Sequence, residues 1–347
     1  MKQFFKFFWG ALALVCFIGI GTFMSCSTED SIREAIEETV DSGDSEPPVF
    51  LECKAISPRE ISFQFSRSVK VVTLNFEPAL EVESTSNGET VNVVLKEALV
   101  AGDSVTADLL VEDDAKHTLN VLVPFKARNN RIPNLLITEL QDNYTKDTRI
   151  EFVELKALNA GNLGAVRLYI TSYTKDPLVF DFPSVEVKTG EYICVHLRTL
   201  DEGAVDETGS DLTLSGGKFS TEGRDFWIPG SNKILHQTDI VYLMDQDDNI
   251  IDAAMMSESP DSWGTTKDHF TLAAELLHEQ GAWLSNSGGI PGPGDAIPSA
   301  KETATRSISR DETTPDTNKA GDWYITAHTT KNPGATPGKP NNPTRFE

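Results

Sequence analysis

The sequence predicts an all-β chain folded as two tandem β-sandwiches, and three observations carry that expectation. From Val49 onward apolar and polar side chains alternate with a period of two, as half-buried strands require. Clusters of Gly, Pro, Asn and Asp cut the alternating runs into short pieces, which is the punctuation of turns. The 347 residues suffice for two domains at a soft prior of about 150 residues each.

The first module is expected over 48–129. Val49–Ala55, Glu60–Phe65, Val71–Phe76, Val91–Leu95, Ser104–Val111 and His117–Pro124 read as strands. Ser57-Pro58, Ser86-Asn87-Gly88, Ala101-Gly102-Asp103 and Asp113-Asp114 separate them. Short strands at this density imply a sandwich. The order of elements, with Ile61-Ser62-Phe63-Gln64-Phe65-Ser66 and later Ala101-Gly102-Asp103-Ser104-Val105-Thr106, resembles the bacterial Ig-like domains of surface proteins.

The second module is expected over 132–342, after a polar joint at Arg128–Pro133. Strand candidates are Leu135–Leu140, Ile150–Leu155, Arg167–Thr171, Val179–Phe182, Tyr192–Leu197, Ile240–Met244 and Ile250–Ala254, with Asp245–Asn249 as a polar hairpin turn. Two segments stand apart from this pattern. Residues 201–233 form a Gly/Ser-rich loop, and 257–300 form a larger insertion. Within the insertion Phe270, Leu272, Ala273, Leu276 and Leu277 predict a short helix over Asp268–Gln280, capped by Asp268 and ended by Gly281. Loops on a rigid sandwich are the usual place for binding.

The N-terminus reads as an address. Lys2 and Lys6 precede an apolar run at Phe7–Phe23 that is short for a membrane span, and the pattern predicts a secretory signal over 1–25. The run closes as Thr22-Phe23-Met24-Ser25-Cys26-Ser27, which resembles the lipobox of bacterial lipoproteins. Phe23 and Met24 depart from the commonest form of that box. The resemblance implies a diacylglycerol on Cys26, and multiple acyl chains give stable anchoring. Ordinary signal cleavage near Ser25 is the alternative. Residues 26–47 then form an acidic tether, with Glu29, Asp30, Glu34, Glu37, Glu38, Asp41, Asp44 and Glu46 against Arg33. Like charges extend such a segment.

With 30 basic and 53 acidic side chains the formal net charge is −23. Without residues 1–25, which hold two lysines and no acid, it is 28 against 53, or −25. Such a body repels polyphosphate and anionic head groups, so a nucleic-acid partner is disfavoured and membrane attachment needs the lipid. Four cysteines exclude a disulfide scaffold. Cys53 and Cys194 either pair or lie as separate buried thiols.

The second module also resembles the lamin tail domain. The residues concerned are Leu135-Leu136-Ile137-Thr138-Glu139-Leu140 with Ile150-Glu151-Phe152-Val153-Glu154-Leu155, then Phe182-Pro183, Gly190-Glu191-Tyr192 and Asp239-Ile240-Val241-Tyr242-Leu243. They continue through Arg306–Arg310, Asp316-Thr317-Asn318 and Asp322-Trp323 to Ala335-Thr336-Pro337-Gly338-Lys339-Pro340-Asn341. The resemblance implies a compact Ig-like sandwich serving interaction or structure, with no catalytic set of its own.

Candidate chemistry is sparse. His269 and His278 are nine residues apart, and His278-Glu279 lacks the second histidine of a zinc-binding H-E-x-x-H. Asp245, Asp247 and Asn249 repeat the first three ligand positions of a calcium loop, but Ile250 and Met256 stand where it needs Gly and Glu. Glu151 and Glu154, three apart on a strand, point to opposite faces and cannot converge as a glycosidase pair. Cys194 and His196 share a strand face. Trp263 and Trp283 flank the predicted helix and are the candidate ligand platform, with packing of the helix on the sandwich as the alternative. Nucleophile-elbow, P-loop and dinucleotide motifs are absent from the sequence. No cofactor is expected. The expected function is a lipid-anchored envelope protein, non-catalytic, holding a protein or glycan partner. The alternatives are an envelope hydrolase or hydrolase accessory using 201–233 and 257–300, and a nucleic-acid-binding module.

Overall fold

A computed structural model describes residues 46–143, 150–171, 176–200, 203–215, 222–264, 267–329 and 333–346. The signal-like segment, Cys26 and nearly all of the tether lie outside the described residues. The architecture is all-β, and the chain divides after Arg128 into two compact units. Among the described residues no helix is long and apolar enough to cross a membrane.

The first unit contains β1 (Phe50–Ser57), β2 (Glu60–Glu77), β3 (Val82–Thr85), β4 (Gly88–Leu95), β5 (Ser104–Glu112) and β6 (Thr118–Lys126). The runs read as separate strands at Glu60–Phe65 and Val71–Phe76 are one 18-residue strand. Its first half pairs antiparallel with β1 and β4, and its second half with β5. The register shift between Gln64 and Val69 is where β2 changes partners. Bulges bend a strand in this way, so one strand serves both sides of the sandwich. Alternation puts Ile61, Phe63, Phe65, Val91, Val93, Val105, Leu109 and Val111 inside. β3, with one partly buried valine and three exposed residues, carries no apolar alternation and was invisible to it.

The second unit is built on two larger sheets. One has the order β11 (Leu178–Asp181), β10 (Arg167–Ile170), β15 (Asp239–Met244), β16 (Ile250–Ser257), β17 (Ile297–Pro298). The other runs β14 (Arg224–Trp227), β13 (Tyr192–His196), β8 (Phe152–Ala157), β7 (Leu135–Gln141), β18 (Ile308–Arg310), β19 (Trp323–Ile325). A two-stranded pair, β9 (Gly161–Asn162) with β12 (Glu186–Val187), completes the unit. Every residue of β13, β14 and β15 is buried, so both faces of these strands are covered. That explains the loose alternation of this half: a strand buried on both faces needs no polar side.

The helix α1 (Lys267–Glu279) lies against β15 and buries Phe270, Ala273, Ala274 and Leu277. Asp268, expected as the cap, is instead the second residue of the helix, inside its first turn, where a carboxylate still complements the helix dipole. The helix ends as expected at Gly281, in the left-handed region at φ 68°. The Gly281 amide donates to His278 O and the Ala282 amide to Leu277 O, the paired closure of a Schellman motif.

A buried ion pair joins the two sheets. Arg310 on β18 and Asp252 on β16 are both nearly sealed from solvent. Arg310 Nη2 donates to both oxygens of Asp252 at 3.1 and 2.9 Å, and its Nε donates to Ile137 O at 2.8 Å. The Ile137 amide donates back to Asp252 at 2.6 Å, and the guanidinium lies 4.6 Å from the Trp323 ring. Three strands from both sheets therefore share one charge pair. Removing one partner strands the other in a dry interior, which costs about 3–5 kcal/mol. Arg310→Met is expected to lower unfolding free energy by about that amount in urea titrations of the purified chain. Arg310→Lys is expected to recover little of it, since an ammonium cannot reach Asp252, Ile137 O and the indole together.

Candidate functional site

The outer face of the β14–β19 sheet is polar and buried, and every side chain on it follows from strand register. Asp225 pairs with Cys194, Cys194 with Glu154, Glu154 with Glu139, Glu139 with Ser309, and Ser309 with Tyr324. One transverse row thus carries three carboxylates and a thiol. The next row holds Trp227, His196 and Phe152, then Gln141. Side chains directly opposite across a ladder stand about 4.5–5.5 Å apart at Cβ.

Glu139 and Glu154 are fully buried. The C-terminal segment Thr336-Pro337-Gly338 lies over them as a strap. Thr336 N donates to Glu139 Oε2 at 2.9 Å, and Gly338 N to Glu154 Oε2 at 2.6 Å. Ser307 and Ser309 also donate to Glu139, while Thr138 Oγ1 donates to Glu154 at 2.8 Å. Asn341 fastens the strap further on, donating to Thr138 O and Arg310 O. The fit leaves no room at two glycines. A Cβ on Gly223 would stand 2.4 Å from the Gly338 Cα, and one on Gly334 would stand 2.0 Å from Thr305 O.

Burial governs the electrostatics of this row. Burial raises the Glu139 carboxyl to about 7 and, with the neighbouring Glu139 charge, pushes Glu154 well above the ordinary range. Two carboxyls this close in a dry site cannot both ionise readily, so the pair holds a proton. Burial and then the Glu154, Asp225 and Glu139 carboxylates raise the Cys194 thiol, whose Sγ donates to Glu154 at 3.6 Å. A thiol held protonated is a poor nucleophile. His196 Nε2 meets Asp225 Oδ1 at 2.9 Å, and its ring stacks on Trp227 with centroids 4.0 Å apart. The shared face of Cys194 and His196 thus sets the thiol toward Glu154 and the imidazole toward Asp225.

Trp227 is also the floor of a cleft of about 500 Å³, lined by Thr199, Ala204, Val205, Asp206, Trp227, Pro229 and Gly230. The loop around it is internally tied: Trp227 N donates to Asp206 at 2.8 Å, and Trp227 Nε1 to Ser215 Oγ at 2.9 Å. Glu207 takes the Asp225 and Ser215 amides, and Arg224 pairs with Glu191 at 2.8 Å.

The sequence candidates fall elsewhere. Trp263 and Trp283 are not a surface platform. Both are buried in the core beside α1, Trp263 packs on Phe270, and Trp283 Nε1 donates to Asp295 O at 3.0 Å. An indole sealed by its own core has no face for a sugar. Asp245 does not gather ligands with Asp247 and Asn249; its carboxylate takes the Asp247 and Asn249 amides at 2.8 and 2.9 Å, closing the β15–β16 turn. Among the described residues no three His, Cys, Asp or Glu side chains form a metal cluster. Glu151 and Glu154 do diverge: Glu151 holds Arg198 in a bidentate pair at 3.1 and 3.0 Å. Cys53 and Cys194 are both free thiols. The carboxylate that does meet Glu154 is Glu139, which the sequence carries in a similar apolar strand context (I-T-E-L beside F-V-E-L). A Thr138 bulge brings them opposite one another.

The strap generates two predictions. A carboxyl whose pKa is raised by folding binds its proton more tightly in the native state, so its contribution is complete below the unfolded value and fades as pH rises through the folded one. Stability from urea midpoints should therefore fall from about pH 4.5, the unfolded carboxyl value, to about pH 7, the folded value of Glu139. Glu154→Gln should flatten that fall even if it lowers stability overall. Separately, Gly223→Ala should wedge the strap from the sheet. Mapping of maleimide adducts should then show Cys194 reacting at least about tenfold faster than in the parent chain, as expected when a local opening becomes cheaper by about 1.4 kcal/mol.

Comparison with known proteins bears on the same half of the chain. An uncharacterized protein of Treponema pallidum (strain Nichols) is 27% identical over 201 residues, covering 55% of this chain and 50% of that protein. The chain thus aligns with about half the length of that relative. The N-terminal part of the bacterial S-layer protein SbsC aligns with 66% of this chain and 48% of its own at 15% identity and a TM-score of 0.25, an overlap too slight to define a shared fold. Residues 133–325, more than half of the chain and nearly all of the second unit's sheets, match the family described as TP_1001_2nd, protein second domain. The chain belongs to that family.

Proposed function

We propose that this protein is a non-catalytic module of the bacterial cell envelope, held at a membrane by acyl chains on Cys26, and that its sandwiches present a surface to a protein or glycan partner. One observation carries the non-catalytic part. The row where carboxylates, a thiol and an imidazole come together is closed by the chain's own strap, and the strap amides take up carboxylate oxygens that a substrate would need. A thiol pushed up by burial and carboxyls that keep a proton fit a role in holding a segment down.

The sequence supports the envelope part through the signal-like run, Cys26 after Ser25, and the acidic tether. A body with a formal charge of −25 past the signal is repelled by anionic head groups, so an acyl anchor followed by a self-repelling tether would hold it at a distance from the bilayer. The partner-facing place in this reading is the cleft above Trp227, where Val205 and Pro229 offer apolar surface and Asp206 a carboxylate.

In cells fed an alkyne-tagged fatty acid, the parent chain should be labelled and should sediment with membranes. Cys26→Ala should carry no label and should appear in the soluble or secreted fraction. Retention of the unlabelled variant with membranes would remove the anchor from this reading.

A further inference from the structure

The cleft above Trp227 has walls that are fixed before anything enters it. Among the described residues β14 pairs with β13 alone, so its other edge presents open amides. Carboxylates from the loop 203–215 take them: Asp225 N donates to Glu207 Oε2 at 2.9 Å and Trp227 N to Asp206 Oδ1 at 2.8 Å. Ser215 fastens the far end of that loop, accepting from Trp227 Nε1 and donating its hydroxyl to Val205 O at 2.7 Å. On the opposite wall Thr199 N donates to Gly230 O and Thr199 Oγ1 to Ile228 O, both at 2.9 Å. Walls tied in this way spare a ligand the ordering cost of closing a loop.

The chemistry of the lining is one-sided. Ala204, Val205, Trp227 and Pro229 are apolar, and Asp206 is the one charged residue among those that line the cleft. Asp206 Oδ1 is engaged by the Trp227 amide, while among the described residues its Oδ2 has no donor. No base stands on the same wall: 203–215 carries Asp206, Glu207 and Asp211 and no Lys, Arg or His. Arg224, two residues before Trp227 in β14 but one side chain off its face, is committed to Glu191 and to the carbonyls of Glu207 and Gly209. An apolar recess with a single unneutralised carboxylate is the counterpart of an amine on an aliphatic stem. A sugar ring would need an aromatic face. Trp227 has one face against His196, with centroids 4.0 Å apart, and its side chain is 5% exposed.

We infer that the cleft receives a lysine side chain from an extended segment of a protein partner, with the aliphatic stem along Val205 and Pro229 and the ammonium on Asp206 Oδ2. This rests on the reading of the cleft as the partner-facing place and deepens it, choosing a protein over a glycan. With one carboxylate oxygen already engaged, a point donor suits Asp206 better than the two-pronged guanidinium of arginine. A volume of about 500 Å³ is more than one lysine stem fills, so apolar neighbours of the lysine enter with it. The formal net charge of −23 draws a cationic segment toward the body and repels an anionic one.

The test is fluorescence anisotropy of a short dye-labelled peptide, a lysine flanked by valines, titrated with the full chain. Saturable one-to-one binding is expected, and it should weaken as sodium chloride is raised. The same peptide carrying Nε-acetyl-lysine should bind at least about tenfold more weakly, because the charge and the ion-pair donor are gone. Asp206→Asn keeps an oxygen for the Trp227 amide, so it should hold its Tm and still weaken the lysine peptide at least about fivefold. Asp211→Asn makes the same charge change on the same loop outside the lining, and it should leave affinity within about twofold. Equal binding of the acetylated peptide, unchanged affinity in Asp206→Asn, or an equal loss in Asp211→Asn would overturn the lysine site. Saturable binding of chitotriose without binding of the lysine peptide would overturn it too, yet leave the cleft as a glycan-facing place. If neither probe bound, the cleft itself would be lost as a partner site, while the acyl anchor is read independently by the fatty-acid label.

Discussion

The second unit depends on the pair between Arg310 and Asp252. Two β-sheets can slide over an apolar core with little penalty, because dispersion and hydrophobic contact are not directional. A guanidinium that must meet a carboxylate on one sheet, a carbonyl on the other and an indole beneath it is directional in the extreme. It fixes β16 against β7 and β18, and from β7 and β18 the register of the whole outer face follows. Such a pair contributes specificity more than net stability, since desolvation offsets most of the Coulomb gain.

That register is what places Glu139 opposite Glu154 and gives the strap its docking points. The unit uses buried acids repeatedly, and each time a different partner satisfies them. Arg310 and the Ile137 amide hold Asp252, Arg198 holds Glu151, backbone amides hold Asp239 and the strap holds Glu139 with Glu154. Among the described residues, buried side-chain oxygens without a protein donor remain at Gln141, Asp225, Glu302 and Asn341.

The strongly acidic composition takes on structural meaning here. A net charge of −23 reads at first as a statement about solubility and excluded partners. A sizeable part of it lies inside the second unit, where carboxylates take the place of apolar side chains on a sheet face covered by chain rather than by solvent. The buried acids accept hydrogen bonds from segments that carry no regular structure.

The sequence by itself determined the all-β class, most strand positions, the β15–β16 hairpin and the glycine that ends the helix, because these rest on local period and local turn chemistry. Short strands such as β9, β12, β14 and β17 were not legible, since two to four residues carry no period. β2 could not be seen as a single strand, because its change of partners depends on a bulge whose purpose appears only when both sheets are present. The tryptophans beside the helix could be read either as surface or as core from spacing alone, and packing decided for core. The carboxylate pairs belonged wholly to tertiary structure. Glu139 and Glu154 are fifteen residues apart, Asp142 and Glu302 much farther, and only strand register and loop closure bring such groups within a few ångströms.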